Sequence, residues 1–101
     1  MAEWRRFQAA RPDEAADTLA ALVAIGIWGP EEIPDADRGV ERNLFGRRAA
    51  GWRIFYTLAG PFGGPWSVTV LHVAAFDETT PVAARAEARR RRGLLWGKEE
   101  F

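Results

Sequence analysis

The chain has 101 residues, 48% of them apolar, with five tryptophans, fourteen basic and fourteen acidic side chains and no cysteine. That length makes a single domain over residues 1–101 with a core of modest size, and the aromatic content excludes a disordered chain. Without cysteine, disulfides, thiolate zinc sites and thiol redox chemistry are excluded.

The neutral total conceals a segregation of charge. Residues 1–37 carry three basic and eight acidic side chains, residues 38–76 five and one, and residues 77–101 six and five. The middle of the chain is therefore locally basic, and a local basic field can hold phosphate whatever the overall balance. The longest apolar helical stretch, residues 18–28, is too short to span a bilayer, and the amino terminus lacks the charged, apolar and small-residue order of a signal peptide. The expectation is a soluble cytoplasmic protein with no membrane partner.

Along the chain, Trp4 and Phe7 stand three apart, which suits a turn of helix, although the segment Ala2–Ala10 also fits an extended strand. Pro12 opens a helix whose positive end carries Asp13, Glu14 and Asp17, whose apolar stripe is Ala15, Leu19, Leu22 and Val23, and which Gly26 stops. Residues 27–39 contain Gly29, Pro30, Pro34, Asp35 and Asp37, a loop composition. Three β-rich runs follow, 40–45, 52–58 and 66–76, separated by GRRAAG and AGPFGGP, and they predict an antiparallel meander. The first run is short and polar, which suits an edge. In the second, Trp52, Ile54, Tyr56 and Leu58 share one face and Arg53, Phe55 and Thr57 the other. The third is apolar on both faces, as a central covered strand is. Gly63 and Gly64, between Pro61 and Pro65, make the second hairpin loop long. Thr80 then caps an Arg-rich helix over residues 82–95, with Pro81 at its first position and Gly93 fraying or ending it. The fold expected is α+β: an antiparallel sheet of three or four strands, an amino-terminal helix or helical hairpin, and a carboxy-terminal basic helix.

Residues with chemistry gather in and after the meander. Arg53 is the charged exception on an apolar strand. Arg42, with Arg47 and Arg48 in the connecting turn, completes a group of planar guanidiniums that can hold phosphate oxygens and stabilise a phosphorane-like state. The same residues also fit a solvated hairpin tip with Arg53 paired to Glu41. His72 is the one histidine, the residue type suited to proton transfer near neutrality; on a face shared with Val68, Val70 and Ala74 it also fits a satisfied core residue. Tyr56 reads as a stacking or proton-donating group, or as core. Arg89 opens a basic run, 89–92, that fits RNA-backbone or ribosome contact, or a solvated helix face partly neutralised by Glu87. No metal-ligand cluster, phosphate-cradling glycine loop or Ser-His-Asp order is present, so no cofactor is expected.

The order GVERNL, GWRIFY, VTVLHVAAF and TTP with an Arg-rich helix resembles the RelE/HigB-type toxins of bacterial toxin-antitoxin pairs. The likeness is carried by Trp52-Arg53-Ile54-Phe55-Tyr56, by Val70-Leu71-His72, and by Thr80-Pro81 with Ala84, Ala88 and Arg89. It implies a compact microbial ribonuclease fold, metal-independent endoribonuclease activity on messenger RNA, usually on the ribosome, and a cognate antitoxin as partner. On this chain it puts Arg53 at the phosphate and His72 in proton transfer. Arg42 completes the candidate catalytic set, and Arg47, Arg48, Tyr56 and Arg89 are candidate RNA contacts. Asp77-Glu78 stands where the family has a lysine-rich stretch. That departure supports an alternative, a RelE-like module that binds protein or nucleic acid without catalysis through the sheet and the Leu94-Leu95-Trp96 end. The sequence does not set the oligomeric state.

Overall fold

In the computed structural model, which describes residues 1–61 and 65–96, the alternating aromatic run becomes the strand on which everything else packs. Helices α1 (Ala2–Ala10) and α2 (Pro12–Trp28) are followed by short 3-10 turns at Pro30–Glu32 and Asp35–Asp37. Strands β1 (Phe45–Ala49), β2 (Trp52–Ala59) and β3 (Ser67–Ala75) and helix α3 (Pro81–Trp96) complete the order. The strands form an antiparallel sheet ordered β1-β2-β3. The protein is thus the expected α+β arrangement, with three strands among the described residues.

The alternation of β2 explains the layers. Ile54 packs with Phe7, Ala15 and Val73, and Tyr56 and Leu58 pack with Leu22, Ile25 and Ile33, so α1 and α2 cover one face. Phe55 points the other way, into Leu44, Leu71, Ala74, Ala84 and Ala88 under α3. Ala84 and Ala88 are one turn apart, and their small side chains let α3 approach the sheet closely. Burial of a ring such as Phe55 stabilises the fold by about 2 kcal/mol.

Several expectations change for local reasons. Ala2–Ala10 is helix throughout, because Trp4 and Phe7 meet edge to face with ring centroids 5.5 Å apart and Phe7 then reaches Trp52. Helix α2 passes Gly26 and ends at Gly29, whose φ of 94° only glycine adopts readily. Gly26 instead allows close packing, since a Cβ there would stand 3.4 Å from the Trp66 carbonyl oxygen. Likewise α3 runs through Gly93, and its Thr80 cap is present, with the Ala83 N–H donating to Oγ1 at 3.1 Å.

The first meander strand lies later than the 40–45 run. The turn is only Ala50-Gly51, both at positive φ, so Arg47 and Arg48 belong to β1, opposite Ile54 and Arg53. Before β1 the Asn43 side chain stands in for a strand partner. Its Nδ2 donates to the Leu58 carbonyl at 2.8 Å and its Oδ1 accepts from the Leu58 N–H at 2.9 Å. The apolar third run is an edge strand, and β2 is central. β3 is apolar on both faces because helices cover both. Its outer groups are met by side chains: the Val73 N–H donates to Glu3 Oε1 at 3.4 Å, and the Leu71 carbonyl accepts from Arg91 at 3.1 Å. A bulge at Leu71 separates the pairs Phe55–His72 and Tyr56–Val70. His72 therefore shares its face with Ala74, while Val68 and Val70 pack on the α2 side, contrary to simple alternation. Gly63, Gly64 and the Trp96 side chain lie outside the described residues. Among those described, no helix is long and apolar enough to cross a membrane.

Candidate functional site

The β1–β2 register sets Arg48 directly across from Arg53 on the face that α3 covers. Gly46, one step along, lies opposite Phe55; a Cβ there would come within 3.3 Å of the ring and 3.6 Å of the Arg53 Cδ. The absent side chain is what lets Phe55 and the Arg53 stem lie down on the sheet. Arg85 descends from α3 onto the same ring. Its guanidinium carbon stands 5.5 Å from the Phe55 centroid, and that of Arg53 stands 5.9 Å from it and 5.6 Å from Phe76. Gly39 leaves room for Arg85, since a Cβ there would meet the guanidinium at 3.2 Å.

Among the described residues these three cations have no carboxylate partner, and every ion pair within 4 Å involves other side chains. Arg53 Nε and one terminal nitrogen of Arg85 are buried with no hydrogen-bond partner. Burial, then the charges of Arg48 and Arg85, push the Arg53 pKa below its usual value. Guanidiniums remain protonated through such shifts, so the cluster is a set of like charges with unused donors. An oxyanion would use those donors and offset the repulsion. Beside them, a cleft of about 390 Å³ is lined by Pro34, Ala36, Asp37, Arg47, Arg48 and Arg53. Asp37 is the carboxylate in this wall, and the Tyr56 hydroxyl donates to it at 2.8 Å.

Arg47 lines the same cleft but belongs to the opposite face of β1, and its buried Nε has no partner among the described residues; the other expected site residues lie elsewhere. Tyr56 is fully buried on the α2 side; burial, then its bond to Asp37, push its pKa far up. It has no access to the arginine cluster. Arg42 is exposed in a separate cleft with Arg38, Asn43 and Trp66, and its carbonyl accepts from Arg92 at 2.8 Å.

His72 shares a face with Arg53 but not a site. Its ring stacks on Phe55 with centroids 6.5 Å apart and planes 13° apart, its Nδ1 donates to Glu3 Oε1 at 3.1 Å, and its side chain is 12% exposed. Helix α3 runs between the two. Arg85, Arg89 and Arg92 occupy the flank toward β1, where Arg89 and Arg92 pair with Glu41. Ala83, Glu87 and Arg91 occupy the flank toward β3, beside Glu3 and His72.

The basic run 89–92 is neutralised by carboxylates. Arg89 and Arg92 take Glu41, so the alternative pairing of Glu41 with Arg53 is not made, and hydrogen bonding by Arg89 lowers the Glu41 pKa. Hydrogen bonds from Arg90 and Arg91 hold Glu87 down at about 2. Arg91 also grips both oxygens of Glu3 at 2.7 Å. Burial alone would raise the Glu3 carboxyl, but bonds from Arg91 and His72 carry it below the usual carboxylate range. On α3, Arg89 to Arg92 are thus paired with carboxylates, whereas Arg85, in front of Phe55, is in none of the ion pairs among the described residues. The one sign of Arg85 in the sequence is that it borders the buried stripe of Ala84 and Ala88. Among the described residues no group of His, Asp and Glu side chains could hold a metal.

No protein-family model, curated protein or solved structure matches this chain.

Proposed function

We propose that the protein is a RelE/HigB-like toxin that holds a messenger RNA phosphate with Arg48, Arg53 and Arg85 and promotes cleavage there. The observation that carries this reading is the pair of buried, unpartnered guanidinium donors on Arg53 and Arg85, beside a third free arginine. The resemblance on residues 52–56 supplies the reaction class. In that reaction the ribose 2′-hydroxyl loses its proton to solvent and its oxygen attacks phosphorus. The bond to the 5′-oxygen breaks, and that oxygen takes a proton from solvent, leaving a 2′,3′-cyclic phosphate. Charge grows on the non-bridging oxygens as the new bond forms, and preorganised cations bind that state more strongly than the ground state. The protein's part is electrostatic, because His72 lies across α3 from the arginines. Action on the ribosome, a cytoplasmic setting and a cognate antitoxin belong to the same proposal.

A second reading, an RNA- or protein-binding module without catalysis, is favoured by one observation: His72 is tied to Glu3 and stacked on Phe55 rather than aimed at the cluster. Inducible expression in a bacterium of the parent and of Arg53→Ala, following growth and messenger RNA integrity, distinguishes the readings. Arrest with cleaved RNA in the parent alone establishes the toxin. Intact RNA with a folded parent that still binds RNA oligomers establishes the module.

A further inference from the structure

Helix α2 buries Ala15, Thr18, Leu22 and Ile25, and its remaining large apolar residues are left exposed by the described residues. Leu19, Val23 and Ile27 are 52%, 52% and 57% exposed and recur every fourth residue as one stripe, with exposed Trp28 at its end. With half-buried Val68 and Val70 of β3, Leu19 and Val23 border an apolar groove of about 290 Å³ whose remaining lining is Leu22 and Gly26. Single exposed apolar residues are ordinary, but a continuous stripe at helical period marks a surface made to be covered.

We propose that this groove is the docking site for a basic amphipathic helix of a partner protein. Charge selects the occupant. Residues 12–37 contain seven acidic side chains and no basic one. Asp13, Glu14 and Asp17 lie in the first two turns of α2, and Glu31 and Glu32 follow its end, so acidic charge stands at both ends of the helix that carries the stripe. A helix with Lys or Arg beside its apolar seam complements both ends. A second copy of this chain does not: two stripes paired antiparallel about Val23 would bring Asp13 and Asp17 of one copy toward Glu31 and Glu32 of the other. An extended strand added along β3 would compete with contacts already made, since the N–H of Trp66, just before β3, is bonded to the Gly26 carbonyl at 2.8 Å and the Leu71 carbonyl and Val73 N–H are taken by Arg91 and Glu3. A helix, whose own every-fourth-residue ridge interdigitates with Leu19, Val23 and Ile27, uses the groove as it stands. The groove lies on the α2 side of the sheet, so the inference does not depend on RNA binding at the arginines.

Two synthetic peptides test this. Both are helix formers with one shared Leu/Ala seam, flanked by lysines in one and by glutamates in the other, and each is titrated into the full chain by fluorescence anisotropy at low and high salt. The lysine peptide binds, gains helicity in circular dichroism and weakens as salt rises. The glutamate peptide binds at least about tenfold more weakly. Val23→Asp, at an exposed position, leaves the melting curve intact and weakens the lysine peptide by about tenfold or more. The double variant Asp13→Lys, Asp17→Lys narrows or reverses the preference. Absence of binding by either peptide, equal binding of the two, or indifference to Val23→Asp overturns the proposal. So does binding without induced helix, which assigns the groove to a strand. A dimer in sedimentation that Val23→Asp dissolves assigns it to a second copy. RNA affinity measured on the same samples reports separately on the arginine cluster.

Discussion

Replacing Arg53 with methionine separates stability from function in a single variant. Methionine keeps an apolar stem of similar length and removes the guanidinium. In the parent, the buried Arg53 Nε lacks a partner, a situation that costs about 1–3 kcal/mol. Arg48 and Arg85 add like-charge repulsion, visible in the lowered Arg53 pKa that burial begins and they extend. Against this stand contacts of the guanidinium with Phe55 at 5.9 Å and Phe76 at 5.6 Å, each worth about 0.5–1 kcal/mol at partly exposed sites. The unfavourable side is larger, so Arg53→Met gains about 1 kcal/mol, which in a domain of this size raises Tm by roughly 4–8 °C. The assay is a thermal melt with and without a short single-stranded RNA. Ligand at a hundred times its Kd stabilises the parent by about 2.7 kcal/mol through linkage, and Arg53→Met loses most of that shift. A ligand-free Tm below the parent's would refute the strain argument. An undiminished RNA shift would remove Arg53 from the site.

Three further outcomes follow from the same geometry. Glu3→Gln weakens the bonds to His72, the Val73 N–H and Arg91, and lowers stability at neutral pH by about 1–2 kcal/mol in urea denaturation. Because the folded Glu3 pKa lies below its ordinary 4.5, its contribution is complete above that value and is lost as pH falls through the folded pKa. Parent stability therefore declines from about pH 5 toward pH 3 more steeply than the variant's. Tyr56→Phe strips the donor from Asp37, which is only 6% exposed, and costs about 1–2 kcal/mol while leaving RNA affinity unchanged. Binding of single-stranded RNA by the three arginines gives a slope of log K against log salt of about −2, falling to about −1.4 in Arg85→Ala; a slope near zero would mean that phosphates are not what the cluster holds.

Much of the layering was legible because it rests on local rules. The alternation from Trp52 to Leu58 assigns both faces of β2, Pro12 marks a helix start by its position in the first turn, and Thr80 marks another by capping. The misreadings arose where a residue's reason lay in a distant partner. Gly46 looks like a turn residue, yet it sits in β1 because Phe55 needs the space over it. Gly26 looks like a helix stop, yet the positive φ is at Gly29. The Leu71 bulge has no sequence mark and reassigns the faces around His72. In the site, Arg53 stood out as a charge on an apolar strand, and Arg48 was placed near it though assigned to a turn. Arg85 joins them only through the packing of α3, and the pairing of Arg89 to Arg92 with Glu3, Glu41 and Glu87 depends on elements far apart in the chain.

The grip of Arg91 on Glu3 joins the third residue to one near the end of α3. Closing so long a loop is entropically costly until other contacts have formed, and a ribosome releases Arg91 only after the whole sheet has been made. A chain that stops short of α3 would show the outer groups of β3 and the rings and methyls of Phe55 and Leu71 together, a pairing edge beside a bare apolar surface. Such fragments are the species that proteases and chaperones seize first. The fold thereby carries its own completeness check: the arginine cluster gains its third member, Arg85, only with the helix that also hides the edge.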